Sequence, residues 1–127
     1  MKLEVGMYVR TNEGIGTVQR IYNNKNDCTV KFKKGHVKKW VTIFKASHNI
    51  IDLIEVGDVI TFKNDKDVYR VTCIPNKKYA CNCFYLEFNH LELGVEDIFV
   101  SKTEMKKNLY SIVTKEQFES MQYKIGE

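Results

Sequence analysis

Three cysteines and one histidine in the second half of the chain have residue types that bind metal ions. They form the pattern C-x7-C-x-C-x6-H at Cys73, Cys81, Cys83 and His90. Structural zinc sites use cysteine pairs separated by two to four residues, because a tight knuckle brings both thiolates onto one tetrahedron. A C-x-C pair on an extended strand holds its side chains about 7 Å apart, unless the strand kinks. The spacing therefore favours small core cysteines and predicts neither a metal nor another cofactor, which elemental analysis would test.

Residue types for acid–base or nucleophilic catalysis are scattered along the chain. The histidines His36, His48 and His90 each fall in a predicted turn or linker, and there is no Gly-x-Ser-x-Gly or His-Glu-x-x-His motif. Gly14-Ile15-Gly16 lacks the third glycine and the following helix of a phosphate-binding loop, and a hairpin explains it better. The sequence therefore predicts a protein that is not an enzyme.

Six lysines and the single tryptophan form the most basic segment. No acidic residue occurs between Cys28 and Ile51, and the segment contains Lys31, Lys33, Lys34, Lys38, Lys39, Trp40 and Lys45. Because side chains alternate along a strand, Lys31 and Lys33 should share one face, and Lys38 should share a face with Trp40. An aromatic ring beside lysines can stack a base while the lysines hold phosphates, or the cluster can bind an acidic protein. The alternative is that Trp40 belongs to the core and the lysines are only solvated.

The charges divide unevenly along the chain. The protein has 20 Lys and Arg against 16 Asp and Glu, a net charge of +4. Residues 1–48 contain ten basic and three acidic residues, net +7, and residues 49–127 contain ten and thirteen, net −3. Spaced carboxylates can imitate a phosphate backbone and bind a cationic groove. We therefore expect an acidic partner-binding face at Glu87, Glu92, Glu96 and Asp97; the alternative is a surface that only confers solubility.

Short runs of β-branched and aromatic residues, broken by Gly, Asn and Asp, are typical of a small all-β protein. They predict strands at 7–11, 16–23, 27–33, 37–44, 59–63, 68–74, 83–88, 98–100 and 109–113. Thr114-Lys115-Glu116-Gln117 matches a helix capping box, which predicts one short helix at about 115–123. A helix of two to three turns is marginal alone, so it must pack against a sheet.

An internal repeat organises these strands into two related halves. Its matched segments are LEVGMYV (3–9) with IEVGDVI (54–60), TVQRI (17–21) with DVYRV (67–71), CTVKF (28–32) with FYLEF (84–88), and TIFKASHNIIDLI (42–54) with SIVTKEQFESMQYKI (111–125). Because the matches occur in one order, we expect two tandem units, a basic one at 1–48 and an acidic one at 49–127. A unit this small is marginally stable alone.

The Val-Gly opening of each unit, its glycine-marked hairpin and its closing strand resemble SH3-like small barrels. We therefore expect an all-β fold of two tandem SH3-like small β-barrels with a short C-terminal helix. NIIDLIEVGD (49–58), SIVTKEQFESMQYKI (111–125) and VGMYVRTNEGIGTV (5–18) resemble segments of small uncharacterised proteins encoded by phages and prophages of Gram-positive bacteria. The resemblance implies a mobile-element origin and a small-barrel fold. It brings no catalytic residues and no assigned activity.

The composition is that of a globular protein, with 43% hydrophobic and 12% aromatic residues. No apolar run approaches the roughly 20 residues of a membrane span. The first residues, Met1-Lys2-Leu3-Glu4, contain no apolar signal-peptide region, so we expect a cytoplasmic protein with reduced cysteines.

These observations lead to three functional hypotheses. The first is a non-enzymatic phage or prophage accessory protein that inhibits a host defence nucleoprotein, like an anti-CRISPR protein, through its charged surfaces. The second is a nucleic-acid-binding adaptor that uses the lysine-rich segment 31–45. The third is a structural or virion-assembly module. The expected partners are a host protein or nucleoprotein, DNA or RNA, and no membrane; no motif names the target.

Overall fold

The computed structural model describes residues 2–22, 27–33, 35–39, 41–76, 82–90 and 94–118. The chain divides into two compact units. The first combines Met1–Leu53 with Glu116–Glu127, and the second is Ile54–Lys115. This division differs from the expected boundary after residue 48, because the end of the chain belongs to the first unit and does not complete the second.

The boundary changes the distribution of charge. The first unit contains eleven basic and seven acidic residues, net +4, and the second contains nine of each. The acidic excess of residues 49–127 comes from Asp52 and from the carboxylates after residue 115, which belong to the first unit. The second unit is therefore neutral overall, and any acidic character is a local property of particular faces.

The first unit is a five-stranded antiparallel sheet. Its elements are β1 (Tyr8–Thr11), β2 (Gly14–Ile21), β3 (Cys28–Phe32), β4 (Val37–Lys38), β5 (Ile43–Ser47) and a 3-10 helix (Ile50–Leu53), with strand order β4-β3-β2-β1-β5. Alternate residues face the core, so Val9, Val18 and Val30 are buried together with Phe32. The residues between them on β3 point outward, as the alternation of apolar and polar types predicts.

The second unit has the same arrangement. Its elements are β6 (Val59–Phe62), β7 (Tyr69–Cys73), β8 (Cys83–His90), β9 (Gly94–Ser101), α1 (Lys102–Asn108) and β10 (Leu109–Val113), with strand order β10-β6-β7-β8-β9. Ile60, Val71 and Leu86 from three adjacent strands are buried, and Met105 from α1 is buried as well. Strand by strand, β6 to β10 thus correspond to β1 to β5.

The predicted all-β class is confirmed, because both units are antiparallel sheets with little helix. In the described ranges no pairing joins β4 to β5 or β9 to β10, so neither sheet forms a closed barrel. No helix in the same ranges has the length and apolar content needed to cross a membrane.

Backbone hydrogen bonds at the start of the first unit define a tight turn. The Met7 N–H donates to the Glu4 carbonyl at 3.1 Å, the Gly6 N–H to the Val18 carbonyl at 2.9 Å, and the Val18 N–H to the Met7 carbonyl at 2.9 Å. Gly6 has a φ of 93°, which glycine adopts without the steric cost of a Cβ atom. The Val-Gly pair at 5–6 is therefore a turn signal.

The same bonds recur in the second unit. The Asp58 N–H donates to the Glu55 carbonyl at 3.1 Å, the Gly57 N–H to the Val71 carbonyl at 2.9 Å, and the Val71 N–H to the Asp58 carbonyl at 2.8 Å. Val71 therefore corresponds to Val18. The predicted alignment of TVQRI (17–21) with DVYRV (67–71) is wrong by three residues, because the β6–β7 loop is longer than the β1–β2 turn.

The units also share their irregularities. β2 bulges at Gln19 against β3, and β7 bulges at Thr72 against β8. β5 bulges at Phe44 against β1, and β10 bulges at Tyr110 against β6. A bulge inserts one unpaired residue and changes which side chains a strand presents. The two units therefore have one topology that includes two equivalent bulges.

Two elements differ from the prediction. The single strand expected at 37–44 divides into β4 and β5, and no helix was expected at α1. The signal for α1 is a capping box, because the Ser101 hydroxyl accepts a hydrogen bond from the Glu104 N–H at 3.2 Å. Residues 115–118 are helical, as predicted, and the remainder of the helix expected at 115–123 lies outside the described residues.

Candidate functional site

The predicted basic residues lie on two faces of the first sheet. Lys31 is exposed on β3, and the strand register places it opposite Val37. Lys38 lies opposite the buried Val30, and its ammonium group donates to the carboxylate of Glu13. The structure therefore separates Lys38 from Lys31, although both belong to the lysine-rich segment.

The other lysines occupy different places. Lys33 is exposed in the turn after β3. Lys45 is exposed on β5 opposite Arg10, and three strand spacings, about 14 Å, separate β5 from β3. Lys34 and Trp40 lie outside the described residues. The predicted pairing of Trp40 with Lys38 thus stays a prediction.

A tyrosine that the sequence analysis did not select lies beside two cations. The guanidinium carbon of Arg20 is 5.4 Å from the centre of the Tyr22 ring, and the Lys39 Nζ is 4.8 Å from it. At these distances the ring quadrupole attracts both cations. We call Arg20, Tyr22 and Lys39 the cation–tyrosine cluster.

The bulge at Gln19 positions the cluster. Arg20 pairs with Thr29 across β2 and β3, and Lys31 follows Thr29 by two residues on the same face. Arg20 and Lys31 are therefore diagonal neighbours, a separation that long side chains span. Without the bulge, strict alternation would point Arg20 to the side of Val18, which is the core.

The cluster lies in a cationic environment. Among the described residues, Arg20 and Lys31 have no ion-pair partner, whereas Lys38 is paired with Glu13. Like charges held on one small surface repel each other, and a bound anion relieves that repulsion. An aromatic ring among such cations adds a flat surface for stacking. The arrangement can therefore bind a chain of phosphates with attached rings.

The predicted acidic residues also divide between two faces. Glu87 on β8 lies opposite Asp97 on one side and Arg70 on the other, and the Arg70 guanidinium is 3.2 Å from the Glu87 carboxylate. Glu96 is the neighbour of Asp97 on β9 and therefore points to the other face. Glu92 lies outside the described residues. Among the described members of the predicted set, only Glu87 and Asp97 come together.

One pair of equivalent positions in the two units carries opposite charges. The pairing of Val18 with Val30 corresponds to the pairing of Val71 with Leu86. Lys31, which follows Val30, therefore corresponds to Glu87, which follows Leu86. The two faces therefore share the same strand pairing and carry different side chains.

An exposed aromatic pair lies beside the carboxylates of the second unit. Tyr85 and Phe99 are directly opposite each other on β8 and β9, with ring centres 4.8 Å apart. Phe99 is 69% exposed and Tyr85 is 39% exposed. Exposed aromatic residues on a regular strand are a typical feature of interaction surfaces. The alternation of residue types in FYLEF (84–88) and in DIFVS (97–101) indicates that Tyr85 and Phe99 are exposed. Only the strand register shows that their rings are in contact.

The cysteines occupy different environments. Cys28 is in the first core, where burial raises the pKa of its thiol. Cys73 on β7 and Cys83 on β8 are half-buried, while Cys81 and the side chain of His90 lie outside the description. In the part of the chain that is described, no three His, Cys, Asp or Glu side chains are grouped to hold a metal ion. The absence of a metal stays a prediction.

The other two histidines contact different residues. The His36 ring stacks on Phe32, with ring centres 5.1 Å apart. The His48 Nε2 lies 3.0 Å from the Glu4 carboxylate at an exposed site. Neither contact combines a nucleophile with a base, and the expectation that the protein is not an enzyme stays a prediction.

A buried arginine attaches the end of the chain to the first unit. The Arg10 side chain is fully buried, and its Nη2 donates to the Glu116 carboxylate at 2.6 Å, with Nε at 3.4 Å from the second oxygen. Its Nη1 donates to the Leu53 carbonyl at 2.9 Å. These residues are distant in sequence, so no local pattern indicates the contact.

Comparison of the chain with protein-family models, with curated proteins and with solved structures found no match.

Proposed function

We propose that the protein is a non-enzymatic binding protein whose first unit binds a nucleic-acid strand through the cation–tyrosine cluster and Lys31. The observation that carries this proposal is the position of Arg20 and Lys39 beside Tyr22, next to Lys31 on one face. The net charge of +4 on the first unit also favours a polyanionic partner.

Each member of the site has a distinct chemical task. The planar guanidinium of Arg20 can donate two hydrogen bonds to one phosphate, and the ammonium groups of Lys31 and Lys39 act as point charges. Tyr22 offers a ring on which a base can stack. Contacts to phosphates do not read sequence, so we expect weak preference among base sequences.

The test is fluorescence anisotropy of a labelled single-stranded oligonucleotide, measured as DNA and as RNA over a range of salt concentrations. Three phosphate contacts predict a slope of about −2 for log K against log salt, so affinity should fall about 20-fold between 50 and 200 mM salt. Arg20→Ala or Lys31→Ala should each reduce the slope by about 0.7. Tyr22→Leu should weaken binding and leave the slope unchanged, since it removes no charge.

Matched controls separate this site from general charge attraction. Lys66→Ala and Lys106→Ala each remove one exposed positive charge from the second unit. They should change affinity much less than the cluster variants. Equal effects of control and cluster variants contradict the proposed site. Absence of binding at 50 mM salt contradicts nucleic-acid binding itself.

We further infer that each unit is an open relative of the SH3-like small barrels. The support is the antiparallel order in which the fifth strand of each unit returns to pair with the first. Nuclear Overhauser contacts in solution between the fourth and fifth strands of a unit support this assignment, and a flat open sheet without such contacts contradicts it.

The phage or prophage origin, the cytoplasmic location and the inhibition of a host defence nucleoprotein stay predictions. They rest on the sequence resemblance and on the acidic residues, of which Glu87 and Asp97 share a face. Affinity purification from a host lysate tests them. A recovered defence complex supports the inhibitor, virion proteins support the assembly module, and bulk nucleic acid alone supports the adaptor.

A further inference from the structure

The second unit has a long edge strand that the proposed nucleic-acid site does not use. β9 is the last strand in its sheet, and its outer side has no strand partner among the described residues. It pairs with β8 over eight consecutive residues without a bulge, from Gly94 to Ser101. The corresponding edge strand of the first unit, β4, has only two residues. A long regular edge is therefore specific to the second unit.

Edge strands expose unpaired N–H and C=O groups, which form a template for another strand. Proteins usually block such edges with bulges, lysines, prolines or short strands. The opposite edges in this protein, β5 and β10, have bulges at Phe44 and Tyr110. β9 contains no bulge, no lysine and no proline. Its backbone is therefore suited to pairing.

The side chains of β9 indicate the chemistry of its partner. Asp97 and Phe99 are exposed on one face, and Asp97 lies opposite Glu87. Two carboxylates directly opposite each other are unfavourable unless a cation is near. Arg70 pairs with Glu87 and not, in the described contacts, with Asp97. A cation beyond β9 would reduce the repulsion at Asp97, and its alkyl stem could cover Phe99.

We propose that β9 pairs with an extended basic segment of a partner protein, which adds a sixth strand to the second sheet. Backbone hydrogen bonds along β9 supply affinity, and lysine or arginine side chains at alternate positions meet Asp97 and pack over Phe99. The proposal concerns a different unit from the nucleic-acid site and does not depend on it.

A second copy of the chain fits this edge less well. Glu96 and Asp97 are near the middle of the eight-residue strand. Centred antiparallel pairing of two β9 strands would place Asp97 opposite Ile98 and Glu96 opposite Phe99 of the second copy, so four carboxylates would lie at neighbouring positions of the ladder. Like charges this close repel each other. The charge on β9 thus favours a basic strand over its own copy.

The probe is a fluorescein-labelled octapeptide that alternates lysine and valine, measured by anisotropy against the wild-type protein. The same peptide with glutamate in place of lysine is the charge control. Two further versions carry N-methyl groups on all lysines or on all valines, which removes the backbone donors along one edge of the peptide. We expect the lysine peptide to bind, the glutamate peptide not to bind, and only one of the two N-methylated versions to lose binding.

Protein variants locate the site on β9. Asp97→Lys should weaken peptide binding about tenfold or more, as removal of a close charge pair does at other interfaces. Asp67→Lys makes the same charge change on an exposed loop and should have little effect. Phe99→Ser should weaken binding without changing net charge. The far-ultraviolet circular dichroism spectrum of each variant should match that of the wild type, which shows that the variants are folded.

Three outcomes would overturn the proposal. Equal binding of both N-methylated peptides would show adsorption by charge alone. Equal losses in the Asp67 and Asp97 variants would place the peptide elsewhere. A dimer in analytical ultracentrifugation that Phe99→Ser abolishes would show that the edge pairs with a second copy.

Discussion

Replacing Glu116 by alanine should destabilise the first unit by about 3–5 kcal/mol, because it removes a carboxylate that pairs with a buried guanidinium. Arg10 is fully buried, and Glu116 supplies acceptors to two of its nitrogens, at 2.6 and 3.4 Å. The Leu53 carbonyl remains after the substitution, but it carries no charge to balance the arginine. The expected loss is a large share of the roughly 5–15 kcal/mol by which a domain is stable.

The assay is urea unfolding followed by tryptophan fluorescence. The chain has one tryptophan, Trp40, and it belongs to the first unit, so the signal reports on that unit. With a slope of about 1–3 kcal/mol per M urea, a loss of 3 kcal/mol lowers the midpoint by about 1–3 M. For the same loss of 3 kcal/mol, the midpoint of thermal unfolding should fall by about 12–24 °C.

Two further variants test the cause. Glu13→Ala removes an exposed pair with Lys38 and should cost at most about 1 kcal/mol. The double variant Arg10→Leu, Glu116→Leu removes both charges, so it should be more stable than Glu116→Ala alone. The reasoning is refuted if Glu116→Ala costs no more than Glu13→Ala, or if the double variant is the least stable of the three.

Three other predictions concern local features. Burial and the hydrogen bond that the Tyr69 hydroxyl donates to Asp65 raise the pKa of Tyr69. The free energy of unfolding should therefore fall as pH rises above about 10, because the phenol ionises first in the unfolded chain. Tyr69→Phe should abolish this pH dependence in urea titrations, and an unchanged profile contradicts the prediction. Ser101→Ala removes the N-cap of α1 and should lower the free energy of unfolding in urea by about 1 kcal/mol. Hydrogen exchange in α1 should also become faster. Unchanged exchange would show that the cap is dispensable. Gly16→Ala would place a methyl group 2.8 Å from the Lys31 carbonyl, which should cost about 1–3 kcal/mol in the same assay; a neutral variant contradicts this close packing.

Local alternation was sufficient to predict strands whose two sides differ clearly. On β3, Cys28 and Val30 are buried, while Lys31 between Val30 and Phe32 is exposed, which is the pattern that the sequence shows. The glycine turn at Gly6 was predictable for a similar reason, because its neighbours repeat at Gly57. Signals confined to a few adjacent residues thus located most strands and the repeat.

The proposed binding face was harder to predict because it depends on a bulge and on register. Strict alternation assigns Arg20 to the core side of β2, whereas the bulge at Gln19 turns it outward beside Tyr22. Alternation within one strand also cannot show that Lys38 lies opposite Val30 and so leaves the face of Lys31. The lysine-rich segment indicated a basic surface, but the strand register determines which of its lysines share a face.

The contact between Arg10 and Glu116 has a consequence for the order of folding during synthesis. Residues 54–115 leave the ribosome as one continuous segment, so the second unit has all of its chain before the first unit does. The first unit must wait for residue 116 before the Glu116 carboxylate can pair with its buried arginine. Domains fold as units while the chain emerges at about 5–20 residues per second. A nascent chain that stops at residue 115 should therefore contain a complete second unit and a first unit that is open to chaperones and proteases.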